Sequence, residues 1–221
     1  MIDVARENGF ALCYPQGEVD TKGKTGWIVG YPSQKGVKTD DVDFICSLAR
    51  HLQKEYGLSK ENTFLTGMSN GGEMCYILAT LKPDVFSAYA TIAGLTMEWL
   101  YKDHRPKKAV PIMEVHGTAD KTSMWEGDPY NKGGWGAYIS VPQAVGVWVA
   151  QARCTHEITE ELPLIRNKVI LHKYMGGEPA WEGGPAVEVR LYEIVDGKHS
   201  WGLGDMDTCR EMWKFFSMYM R

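Results

Sequence analysis

Long hydrophobic runs are missing from this chain. No stretch approaches the ~18 consecutive apolar residues that a membrane-spanning helix needs, so no membrane partner is expected. Basic charge is not in excess either: 24 Lys and Arg are outnumbered by 28 Asp and Glu, a net charge of −4, which leaves no electrostatic footprint for nucleic acid. Met1–Arg6 lacks the pattern of a signal peptide. Cys13, Cys46, Cys75, Cys154 and Cys209 make an odd set with no C-x-x-C pair, and no two histidines have ligand spacing. Both facts argue against a zinc site and a metal-dependent hydrolase, and no metal or cofactor is expected. Cys13, Cys46 and Cys75 lie in apolar patterns and read as buried thiols, while pairing of Cys154 with Cys209 stays open. What is there is ordinary globular composition, 44% apolar and 24% charged over 221 residues, without repeats, low-complexity tracts or linkers. One domain, 1–221, is expected.

Taken in order, Ile2–Glu7 reads as the tail of a helix closed by Asn8-Gly9. Phe10–Tyr14 is a continuous apolar run, expected to be a strand buried on both faces. Glu18–Lys38 reads as a polar surface loop. Asp40–Tyr56 carries apolar residues at helical spacing (Val42, Ile45, Leu48, Ala49, Leu52), with a cap at Thr39 or Asp40 and a stop at Gly57. Further strands are expected at Thr63–Thr66, Ala88–Ala93 and Val110–His116, and a paired set at Val169–Tyr174 and Val187–Val195. Helices are expected after Gly71, over Val141–Ala152 and over Thr208–Met220. Strands alternating with helices predict an α/β domain with a mostly parallel sheet flanked by helices.

The stretch Asn62–Gly72 organises the rest. A short apolar run leads into Gly67-Met68-Ser69-Asn70-Gly71, a G-x-S-x-G pattern, and leaves through a helix. Strand, sharp turn with serine at its apex, helix: this is the arrangement of a nucleophile elbow. Gly67 and Gly71 are expected to remove side chains that would collide across the turn. In parallel α/β sheets the active residues lie beyond the C-terminal ends of strands. Asp120 follows the strand Val110–His116, and His199 follows Val187–Val195. The order Ser69, Asp120, His199 is that of an α/β-hydrolase triad. The competitors are weaker: His51 is mid-helix, His116 reads as structural, and Asp128, Asp205 and Asp207 follow no core strand directly.

These segments, with Asp40–Ile45, His116-Gly117-Thr118-Ala119-Asp120, Ile139–Pro142 and Gly197-Lys198-His199-Ser200-Trp201, resemble the polyhydroxybutyrate depolymerase-like esterases. That α/β-hydrolase group includes feruloyl and acetyl xylan esterases, and the likeness runs along nearly the whole chain. The resemblance implies Ser69 as nucleophile, His199 as general base and then acid, Asp120 as the residue orienting His199, and the backbone N–H of Asn70 as an oxyanion donor. It also implies export.

One family feature is absent: a strand ending in His-Gly that lies between the strand equivalent to Phe10–Tyr14 and the elbow strand, and whose loop supplies the second oxyanion N–H. Three resolutions are open. The residues are the C-terminal part of a longer protein, the favoured expectation because Met1 opens in mid-helix; or a second copy of the chain fills the slot; or the sheet closes up. The tryptophans Trp125, Trp135, Trp181 and Trp201 fall on loops expected to be on the site side, with Trp201 and then Trp125 the best candidates to touch substrate. The expected function is a serine carboxylesterase for acetyl or feruloyl esters of xylan. The alternatives are a polyhydroxyalkanoate depolymerase and a catalytically weak carbohydrate-binding relic.

Overall fold

A computed structural model describes residues 1–19 and 23–221. Its centre is a six-stranded sheet. The strands are β3 (Leu65–Met68), β4 (Tyr89–Ile92), β5 (Ile112–Gly117), β6 (His156–Glu161), β7 (Val169–Met175) and β8 (Val189–Ile194), in spatial order β3-β4-β5-β8-β7-β6. The first four in that order run parallel to one another, β7 runs antiparallel to β8, and β6 runs antiparallel to β7. A two-residue-per-strand ribbon, β1 (Glu18–Val19) with β2 (Thr25–Gly26), stands apart. The helices are α1 (Ile2–Asn8), α2 (Asp41–Tyr56), α3 (Asn70–Leu81), α4 (Glu98–Asp103), α5 (Val141–Ala152) and α6 (Thr208–Ser217).

The pleat sorts the core into two layers. Tyr89, Ile112 and Leu191 face a cluster with Ile45 of α2, Ile77 and Leu78 of α3, and Val145 and Trp148 of α5. Their neighbours Ala90, Met113 and Tyr192 face the opposite layer, with Met212, Phe215 and Phe216 of α6. This period-2 switch between faces is what a central strand covered on both sides requires. Helix ends follow the local chemistry. Asp40 caps α2 by accepting from Asp43 N–H at 2.9 Å, and Gly57 closes it in the left-handed region. Ser140 and Asp207 cap α5 and α6 in the same way.

Two expectations are corrected, and one strand has no counterpart among them. Phe10–Tyr14 is not a strand: it runs over the surface, with Cys13 exposed rather than buried. Helix α1 is tied to α6 by a two-pronged Arg210–Glu7 ion pair, and Phe10 stacks on Trp213 at 4.4 Å. An apolar run with no strand to pair with gains more from that ring than from an unpaired extended backbone. β3 is therefore the sheet edge among the described residues, and no slot between two buried strands arises. Second, the expected loop Glu18–Lys38 holds the small ribbon and a 3₁₀ turn, Pro32–Gln34; its residues Asp20, Thr21 and Lys22 lie outside the described residues. That strand is β6, which carries no apolar alternation, and all six of its residues are exposed. Its place is held by the backbone ladder to β7 and by Glu160–Lys173 and Glu157–His172 across the pair. Cys154 and Cys209 are both free thiols.

Candidate active site

At the end of β3 the chain turns through Ser69, whose backbone sits at φ 54°, ψ −121°. Few residues with a Cβ adopt this region. It is held from both sides: Ser69 N–H donates to the Ile92 carbonyl at 2.8 Å, and Glu73 N–H donates to the Ser69 carbonyl at 2.9 Å. A Cβ on Gly67 would run into the Gly71 backbone, and one on Gly72 would come within 2.9 Å of Gly94 Cα. Gly71 is different, because a Cβ there would meet only the Trp27 indole nitrogen at 4.0 Å. The crowded pair is therefore Gly67 and Gly72, not Gly67 and Gly71.

The loops after β5 and β8 are zipped together. Ala119 N–H donates to the Gly197 carbonyl at 3.0 Å and Asp196 N–H to Thr118 Oγ1 at 2.8 Å. Gly117 lets the two backbones touch, since a Cβ there would collide with the Gly197 carbonyl. This crossing sets His199 Nδ1 2.7 Å from Asp120 Oδ2. The other oxygen of Asp120 accepts from Thr122 N–H at 2.7 Å and Ser123 N–H at 2.9 Å. Burial pushes the Asp120 carboxyl up, but the hydrogen bonds from His199, Ser123 and Thr122 outweigh it and hold the group below the usual carboxylate range. Facing a carboxylate, Nδ1 of His199 carries the proton and leaves Nε2 as the basic nitrogen. Among the described residues the Ser69 hydroxyl makes no hydrogen bond, to His199 or to any other group. The competing acids are engaged elsewhere: Asp128 accepts from Gly133 N–H, Asp205 binds Arg166 through both oxygens, and Asp207 caps α6.

Asn70 opens α3, where the first-turn N–H groups have no acceptor within the helix. Its side chain clasps the backbone of Trp27, accepting from Trp27 N–H at 2.6 Å and donating to the Trp27 carbonyl at 2.9 Å. The segment Gly23–Val37 thus straps the start of α3. Tyr31 in the same strap donates to Glu73 Oε1 at 2.7 Å, and Trp99 donates to the Val29 carbonyl at 3.0 Å. Of the tryptophans, Trp201 is 38% exposed in the loop that carries His199. Trp125 is half-buried with its ring edge-on to His116, and Trp135 lies against Tyr31. Trp181 is not on the site side. It sits under the Arg221 guanidinium at the other end of the sheet, with Ala109 and Pro111. Its loop follows β7, which runs antiparallel and so delivers its connection to the opposite end of the sheet.

Two buried acids were not singled out by the sequence. Glu73 follows Ser69 by four residues and is buried with Oε2 unpartnered, and burial pushes its carboxyl up to about 8 against the Tyr31 hydrogen bond. Its signal was a single acid ahead of the apolar run Met74–Ala79. Glu114 on β5 accepts from Tyr76 and Thr91 and contacts His116 Nδ1 at 2.7 Å. Alternation within Ile112–Gly117 conceals it, since all six positions are buried.

A mostly parallel sheet with helices on both faces, a strained serine at a strand-to-helix turn, and an Asp–His pair beyond the ends of β5 and β8 together have the form of an α/β-hydrolase. The chain is similar in fold to the acetyl xylan esterase from Aspergillus awamori, with a TM-score of 0.55 at 12% identity, over 98% of this chain and 80% of that one. The profile of the prolyl oligopeptidase family matches residues 2–132, more than half of the chain, and the chain belongs to that family. In sequence it is 29% identical over 117 residues to a bifunctional acetylxylan esterase/xylanase from Neocallimastix patriciarum (53% of this chain, 16% of that protein). It is 24% identical over 112 residues to a probable feruloyl esterase C from Aspergillus flavus (51% of this chain, 39% of that protein). The match thus spans well under half the length of these relatives. The fold is that of an α/β-hydrolase, and the relatives it matches in sequence include esterases.

Proposed function

We propose that this chain is a serine carboxylesterase acting on acetyl or feruloyl esters of plant cell-wall polysaccharide, with Ser69, His199 and Asp120 as its triad. The observation that carries the reading is the 2.7 Å contact of His199 Nδ1 with Asp120 Oδ2, on loops from neighbouring strands and at the same C-terminal end of the parallel strands as the Ser69 elbow. In this reading Ser69 Oγ attacks the ester carbonyl while His199 Nε2 takes its proton, and the imidazolium is steadied by Asp120. The tetrahedral oxyanion is met by Asn70 N–H. His199 then protonates the departing alcohol, and water reverses the sequence on the acyl-enzyme. The acetylxylan and feruloyl esterase relatives support the substrate class, and Trp201 and Trp125 supply aromatic surface for a sugar or feruloyl ring. The partner is then an ester-bearing polysaccharide or oligosaccharide.

The test is hydrolysis of p-nitrophenyl acetate and methyl ferulate by wild type and Ser69→Ala, with labelling by a fluorophosphonate. Hydrolysis and labelling that both vanish in Ser69→Ala are expected, and the faster ester names the acyl group. Hydrolysis that survives the substitution would overturn the reading. The family match favours a second reading, a peptidase. A prolyl p-nitroanilide cleaved faster than either ester would select it.

A further inference from the structure

Behind Asp120 lies a second imidazole that the triad leaves unused. His116, at the end of β5, is buried, and both ring nitrogens are engaged. Nδ1 is 2.7 Å from Glu114 Oε1, and Nε2 is 2.8 Å from the Ser123 carbonyl. A carbonyl only accepts, so Nε2 carries a proton. Nε2 is also 3.7 Å from Asp120 Oδ2, too long for a hydrogen bond but close for a charge interaction. That oxygen is the one that contacts His199. Ser123 serves both sides: its carbonyl takes the His116 proton, and its N–H donates to Asp120 Oδ1. Burial works against charge on both members of the pair, and it pushes the Glu114 carboxyl up despite the hydrogen bonds from His116 and Tyr76; at His116 the contacts with Glu114, the Ser123 carbonyl and Asp120 outweigh burial and hold its pKa above the ordinary imidazole value.

We infer that His116 is a positioning residue of this site, a buried cation that pins the Asp120 turn through Ser123 and tempers the negative charge that Asp120 offers to His199. The inference rests on the esterase reading for its consequence in catalysis, though not for its geometry. The groups facing His116 are Glu114 on its own strand, with Tyr76 of α3 and Thr91 of β4 behind it, and Asp120 in the following turn, with His199 and Tyr138 beyond. The edge of Trp125 closes the remaining side. Glu114 acts one step further back. Its carboxylate keeps the proton on His116, so replacing Glu114 discharges the same cation.

The sign follows. A cation behind Asp120 weakens the hold of Asp120 on an imidazolium at His199. Without it, His199 binds its proton more tightly, and activity that needs neutral His199 starts at higher pH. The experiment is an NMR titration of the His199 ring in wild type, His116→Gln and Glu114→Gln, read beside the pH dependence of kcat/KM. Both variants should raise the pKa of His199 by roughly half a unit or more, with the acid limb of the rate profile moving the same way. A purely structural His116 would lower stability or rate without moving that titration, and an unmoved His199 in either folded variant overturns the inference. Should both variants fail to fold, the wild-type imidazole ¹⁵N spectrum decides, since a neutral His116 at pH 7 overturns the inference and an imidazolium supports it. The two readings fail separately. A protein with no serine reactivity sinks the esterase, and the His199 titration still tests His116.

Discussion

Ser69 carries a strain that its neighbours impose. Its amide is fixed by Ile92 and its carbonyl by Glu73, so the φ of 54° is held from outside the residue. Non-glycine residues in such regions cost about 1–3 kcal/mol, and a glycine there would recover that at a loss of ~0.4–1 kcal/mol in chain entropy. Ser69→Gly is therefore expected to be more stable than Ser69→Ala, which keeps the Cβ, by about 1 kcal/mol, or roughly 2–4 °C in Tm for a chain of this size. Calorimetry on the two variants checks it, and equal midpoints would mean that the elbow stores no strain. Position and strain differ in how visible they are in sequence. The strand–serine–helix pattern placed Ser69, but the steric reason for the glycines was half legible. Gly72, whose Cβ would crowd Gly94 on the neighbouring loop, is a tertiary requirement that no local pattern shows.

At the level of elements, the strap Gly23–Val37 and helix α3 meet through Asn70 and Glu73, and this joint responds to pH. Glu73 in the fold holds its proton up to about 8, whereas in the unfolded chain it releases it near the ordinary value of 4.5. Its folded pKa is raised, so the contribution of the neutral acid is fully present below about 4.5. It fades as pH rises and is gone above about 8. Wild-type stability should thus fall between pH 5 and 8.5 by a few kcal/mol more than that of Glu73→Gln, measured as the difference in urea midpoints at the two pH values. Parallel losses in both proteins would show that Glu73 ionises without cost. The substitution also changes the buried oxygen that lacks a partner, so only the pH slope is diagnostic, not the absolute stability. Elements were legible in proportion to how local their causes are. α5 matches its expected bounds, Val141–Ala152, because Ser140, Pro142 and an apolar stripe all lie within it. β6 was missed because its pairing with β7 depends on backbone and charge rather than on buried side chains. Phe10–Tyr14 has the composition of a core strand but no neighbour on the outer side of β3, and pairing is a property of two strands. Asp120 and His199 were found by their place after strands, while His116, Glu114 and Glu73 needed the packed interior to show what they touch.

Across the whole molecule, the sheet divides the candidate machinery unequally. Asp120 and His199 leave from β5 and β8, interior strands flanked on both sides by others, with Met113, Val115, Leu191 and Tyr192 buried. Ser69 leaves from β3, which has β4 on one side and no strand on the other among the described residues, and whose four positions are all only partly buried. Local opening costs least where few apolar contacts back the ladder, so the two sheet edges should open before the centre. Native-state hydrogen exchange is expected to rank the ladder amides of β6 fastest, β3 intermediate, and β4, β5 and β8 slowest, the last group exchanging only by global unfolding. The middle rank is the informative one. An elbow on a strand that opens on its own makes the distance from Ser69 to His199 the adjustable part of the site, in keeping with a serine hydroxyl that makes no hydrogen bond to that histidine. Conditions that hold β3 closed without touching β5, such as a covalent phosphonate on Ser69, should then slow exchange at β3 alone. If β3 instead exchanges as slowly as β5 in the free protein, the sheet opens as one unit and the elbow is as rigid as the loops that face it.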